Sequence, residues 1–120
     1  MEIKSAVNSL SALAHETRLS VFRALVQAGP EGLAAGELSR RLGVLTNTMS
    51  AHLNVLDNAG LVRSRRAGRS IIYSAAYDKM SGLLAFLMED CCGGSPEVCA
   101  PLATVVNEAM CCPSPRSNAQ

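Results

Sequence analysis

The sequence predicts a mainly α fold with one small β-hairpin, and three observations carry that expectation. Apolar residues recur at three- and four-residue spacing through a succession of segments before residue 90, as amphipathic helices require. A single stretch, Leu61 to Ser74, pairs two β-forming runs around a Gly-containing tip. Between them, Thr46 to Gly60 (TNTMSAHLNVLDNAG) joins an apolar stripe to a short, neutral, polar face, and the arginine-bearing hairpin follows at once. Two short helices around a tight turn with Gly, then a basic hairpin, make a winged helix-turn-helix.

Each element has its own signal. Glu2 to Leu13 reads as a helix whose Ile3, Val7, Leu10 and Leu13 form one stripe that needs a surface to lie against. His15 to Ala28 is a second helix, with Leu19, Phe22, Leu25 and Val26 inward, stopped by Gly29-Pro30. Gly32 to Leu38 leads into a third around Leu33 or Ala35, which runs through Leu42 to a C-capping Gly43. Val44-Leu45 is the turn. Thr46 is expected to cap the fourth helix, whose Met49, Leu53, Leu56 and Ala59 face inward and which Gly60 closes. Leu61 to Arg65 and Ser70 to Ser74 are the expected strands, with Ala67-Gly68 as the tip. Asp78 to Glu89 is the last helix, and Met80, Leu83, Leu84, Leu87 and Met88 give it a face broad enough for a partner subunit as well as its own core.

Composition sets limits on function. At 120 residues the chain fits one domain, and 48% hydrophobic residues with only 3% aromatics imply a core of Leu, Val and Ala. A net charge of +1 does not itself announce a nucleic-acid partner, but Leu61 to Ser70 concentrates Arg63, Arg65, Arg66 and Arg69 without an acidic residue. No apolar run approaches a bilayer span, and MEIKSAVNS lacks the basic and apolar regions of a signal peptide, so a cytoplasmic protein without a membrane partner is expected. An enzyme is not: His15 and His52 lie in separate helical contexts, no Gly-rich phosphate loop is present, and the strands are too few for a catalytic pocket on an α/β sheet.

The polar face of the fourth helix suits base edges in a major groove. Thr46, Asn47, Thr48, Ser50, His52 and Asn54 are the candidate contacts, because Asn reads adenine and Ser or Thr serve either partner of a pair. Arg65, Arg66 and Arg69, beside the hairpin tip, are the candidate phosphate contacts. His52 stands between DNA contact and packing group, and Arg40 and Arg41 between phosphate clamp and solvated surface.

Beyond Asp90 the composition changes. Cys91 and Cys92 are adjacent, and Cys99 follows seven positions later across Gly-Gly-Ser-Pro. Three soft thiolates without a nearby His fit the trigonal pyramidal geometry of trivalent arsenic or antimony better than tetrahedral zinc. Glu89, Asp90 and Glu97 are close enough in sequence to add an oxygen ligand. A zinc site with four Cys, drawing on Cys111 or Cys112, and reversible thiol oxidation are the alternatives. Cys111 and Cys112 themselves stand open between auxiliary ligands, a second site and a capturing pair. The expected organisation is residues 1–90 as DNA-binding and dimerisation domain, 91–112 as a cysteine-rich inducer-binding extension, and 113–120 as a disordered tail.

From about Leu10 to Leu87 the chain resembles the ArsR/SmtB family of winged-helix metal-responsive repressors. The resemblance rests on HETRLSVFRAL, ELSRRLGV, SAHLNVLDNAGLV and RRAGRSIIYS. It implies a homodimer, built through the first and last helices, that sits on a palindromic operator and leaves when its inducer binds. The family's cysteine site before the recognition helix has no counterpart here, since Ser39, Arg40 and Arg41 occupy it, and the last helix has no His for the zinc and cobalt variant. Cys91, Cys92 and Cys99 resemble the arsenic-responsive subtype whose cysteines follow the last helix. That implies arsenite or antimonite as inducer, with Cys111 and Cys112 leaving room for a methylated trivalent arsenical.

Overall fold

The fold is organised by three helices that bury leucine against one another. In the computed structural model, which describes residues 1–88, they are α2 (Glu16–Ala28), α3 (Ala35–Leu42) and α4 (Thr46–Asn58). Val21, Phe22 and Leu25 of α2, Leu38 of α3, and Met49, Leu53 and Leu56 of α4 share one buried cluster with Leu61, Val62 and Ala75 from the hairpin. α1 (Ile3–Leu13) packs on α2 and α4, and α5 (Tyr77–Met88) follows the hairpin.

The sheet has three antiparallel strands in the order β1-β3-β2, with β1 Leu33–Ala34, β2 Val62–Ala67 and β3 Ser70–Ala75. The hairpin was legible, but β1 was not. Leu33 and Ala34 read as the approach to α3, whereas they pair with Tyr73 and Ile72 and anchor the wing to the start of that helix. The Ala67↔Ser70 register makes Gly68-Arg69 the tip, so Ala67 ends a strand instead of turning the chain. Gly68 takes φ +63°, the left-handed conformation that a two-residue connection demands.

One inward assignment, Leu19, is corrected, and the apolar faces of α1 and α5 are located. The α1 stripe is turned away from the core, with Ile3, Val7 and Leu10 exposed, and it is Ala6, Ser9 and Ala12 that are buried. Small residues let α1 lie close to its neighbours, so the large ones are left for another surface. Leu19 is likewise exposed, and Val21 takes the core position beside Phe22 and Leu25. On α5 only Leu83 is buried, and Leu87 is exposed.

Side chains that look like a polar motif turn out to stitch the helices together. His15 caps α2, its Nδ1 accepting the Thr17 N–H at 3.1 Å. Arg18 reaches back and donates through Nε to the Ala12 carbonyl at 2.6 Å, satisfying one of the last α1 acceptors. Lys79 of α5 donates to Ser5 Oγ of α1 at 3.1 Å, and the Tyr77 hydroxyl donates to the Val26 carbonyl at the same distance.

Two glycines separate conformational need from space. Gly32 has φ +75°, and a Cβ there would collide with the Tyr73 carbonyl oxygen across the β1–β3 pairing, whereas Gly68 has open space around it. A left-handed alanine costs about 1–2 kcal/mol at either position. Gly32→Ala adds the overpacking cost, typically about 1–3 kcal/mol. Urea unfolding is expected to show Gly32→Ala as clearly the more damaging; equal losses would mean that β1 does not clamp the wing.

Candidate nucleic-acid interface

Hydrophobic burial determines which face α4 presents. With Met49, Leu53 and Leu56 turned inward, the helix leaves Thr46, Asn47, Thr48, Ser50 and Asn54 exposed on the opposite side, as its sequence predicted. One detail of the start differs. Leu45 is the N-cap, and Thr46 is the first helical residue, so no side chain caps the helix. The Thr48 N–H is met by Asn47 Oδ1 at 3.2 Å. The opening turn of α4 therefore presents hydroxyls, an amide and uncapped backbone donors together, a combination suited to phosphate and base contact.

His52 takes the packing role. Its ring lies 4.7 Å from that of His15, tilted by 47°, and the side chain is half-buried. Burial, then the neighbouring His15 and Arg18, push its pKa below the ordinary histidine value. The fold thus prefers the neutral imidazole, and the contact ties the recognition helix to the capped start of α2. Because the folded pKa is depressed, this contribution is intact at neutral pH and is lost as pH falls below about 6.5. Unfolding free energy is expected to fall between pH 7 and pH 5, and less so in His52→Gln; identical profiles would remove His52 as the cause.

The wing arginines, alike in sequence, divide by register. Arg65 pairs with Ile72 and Arg66 with Ile71, so the alternation of a strand sends Arg63 and Arg65 to one face and Arg66 to the other. Arg63 is tied to Asp78 of α5 at 2.6 Å, which holds the Asp78 carboxyl below its usual range. Arg65 donates to the Glu31 carbonyl at 2.9 Å. Both brace the wing. Arg66 and Arg69 have no side-chain partner among the described residues, which leaves them available to phosphate.

A cleft of about 410 Å³ lies between α3, α4 and the wing, lined among others by Glu37, Arg40, Ser50, Arg69, Ile71 and Tyr73. Glu37 holds Arg40 at 2.5 Å and Arg41 at 2.9 Å, and their hydrogen bonds keep its carboxyl ionised below the ordinary range. The sequence left these arginines between two roles; the structure shows them tied to Glu37 at the edge of the cleft.

Comparison with known proteins agrees with this geometry. A helix-turn-helix domain family matches residues 13–65. The Escherichia coli regulator YgaV is 32% identical over 89 residues, spanning 74% of this chain and 88% of its own. The chain belongs to the ArsR-like family of helix-turn-helix transcriptional regulators. Among solved structures, HlyU from Vibrio cholerae superposes with a TM-score of 0.59 at 30% identity, covering 76% of this chain and 99% of that one. The repressor BigR from Xylella fastidiosa gives 0.56 at 31%, covering 72% and 85%. The architecture is the winged helix-turn-helix that the sequence predicted.

Cys91, Cys92, Cys99, Cys111 and Cys112 lie outside the described residues, as do the expected extension at 91–112 and tail at 113–120. No described helix is long and apolar enough to cross a membrane.

Proposed function

We propose that this regulator is a repressor that binds operator DNA as a homodimer and is released when trivalent arsenic or antimony binds cysteine thiolates. The observation that carries the DNA part is the exposed polar face of α4 set beside Arg66 and Arg69. The dimer reading is supported by Ile3, Val7 and Leu10, an apolar row that α1 turns away from its own core, and by the exposed Leu87 of α5. Large apolar side chains left in a row mark an interaction surface. A two-fold dimer sets its recognition helices about 34 Å apart, one duplex turn.

The inducer part rests on sequence. Cys91 comes three positions after Met88, the last described residue of α5, so an ion gathered by Cys91, Cys92 and Cys99 acts on the helix proposed for the interface. Three thiolates match the chemistry of arsenite or antimonite. Release requires only that the ion prefer the dimer geometry that does not fit the operator, with couplings of about 1–3 kcal/mol typical.

Redox sensing through the same cysteines is the second reading. HlyU is named a transcriptional activator and has been solved in a form titled reduced. In the proposed mechanism, reduced protein on a fluorescent duplex loses it near one equivalent of arsenite per subunit, and the triple variant Cys91→Ser, Cys92→Ser, Cys99→Ser stays bound. Release of that variant by arsenite would refute the ligand assignment. Release of the wild type by peroxide, with arsenite and antimonite inert, would move the cysteines to redox sensing, and release by zinc alone would make them a zinc site.

A further inference from the structure

Leu45 is 75% exposed, more than any other large hydrophobic residue described, including Ile3 at 69%. It does not belong to the apolar α1 row. It is the N-cap of α4, with extended backbone (φ −61°, ψ 146°), and its carbonyl is fixed by the Met49 N–H at 2.8 Å. The backbone is held while the side chain is left unpacked, directly before the exposed Thr46, Asn47 and Thr48. A capping position favours Ser, Thr, Asp or Asn, so leucine here gives up a hydrogen bond to the helix start. It gains no compensating burial within the subunit.

The leading residues of a recognition helix are the ones that meet base edges. In the major groove, the apolar feature of those edges is the C5-methyl of thymine. We infer that Leu45 is a specificity-determining residue that packs on a thymine methyl in each half-site, adding an apolar contact to the hydrogen bonds of the polar face. This rests on the DNA-reading proposal above and names one base that the surface selects. The wing offers Arg66 and Arg69 to phosphate, and the exposed Thr46, Thr48 and Ala51 of α4 offer single methyl groups to a thymine methyl, so Leu45 is the largest apolar group at the start of the helix but not the sole one.

The test uses the full chain and the duplex that wild-type protein selects from a randomised pool, with each thymine replaced in turn by deoxyuridine, which removes the methyl alone. One replacement in each half-site is expected to weaken wild-type binding about fourfold, the worth of one buried methyl-sized group. Leu45→Ala should bind the thymine duplex more weakly and be indifferent to that replacement, while its thermal midpoint stays at the wild-type value. Three results overturn the inference. They are an unchanged Leu45→Ala affinity, the same deoxyuridine penalties in variant and wild type, or a loss of folding stability that accounts for the loss of binding. Failure of the wild type to select any duplex would instead remove the DNA-reading proposal, and this one with it.

Discussion

The burial of Met49, Leu53 and Leu56 is the constraint on which the rest depends. Those side chains lock the rotation of α4 about its own axis, and that rotation alone determines which residues reach outward. A helix held by one or two contacts would roll; this one is set among Phe22, Leu25, Leu38, Leu61 and Val62, with no exposure at Leu53 or Leu56. Truncating Leu or Met in such a core typically costs about 2–5 kcal/mol. The reading surface is therefore an outcome of packing as much as of its own polar residues.

Around that helix, polar side chains act as braces more often than as readers. His15 and Arg18 close the α1–α2 junction, His52 rests on His15, Arg63 is tied to Asp78, and Arg65 to the Glu31 carbonyl. The wing is held at both strands, through β1 on one side and α5 on the other. Its outward charge is concentrated in Arg66 and Arg69. A wing held in place keeps those two charges at a defined distance from α4.

Much of this was legible in the sequence, because helical periodicity and glycine punctuation report on local structure. α2, α3, α4 and the hairpin fall close to their expected bounds, and the exposed polar face of α4 follows from the spacing of its apolar residues. What the sequence hid depends on partners distant in the chain. β1 is two residues long and exists only through Tyr73 and Ile72. The α1 stripe was legible as apolar but not as turned away from the core, because periodicity tells that a face is apolar, and not what covers it. His52 could not be placed without knowing that His15 lies across from it, nor could the wing arginines be told apart without the strand register. Leu45 escaped notice because a leucine between Val44 and a helix looks like turn packing until its exposure is known.

Under the proposed function, the polar face of α4 is fixed by its core and the wing's phosphate contacts narrow to Arg66 and Arg69. The slope of log affinity against log salt tests that most directly, measured on the wild-type-selected duplex for wild type, Arg66→Gln and Arg69→Gln. Each lost phosphate contact should reduce the slope by about 0.9 per subunit bound. The account predicts that reduction in both variants, with their folding stability unchanged. Wild-type slopes in both, or a wild type with no salt-dependent duplex affinity, would contradict it.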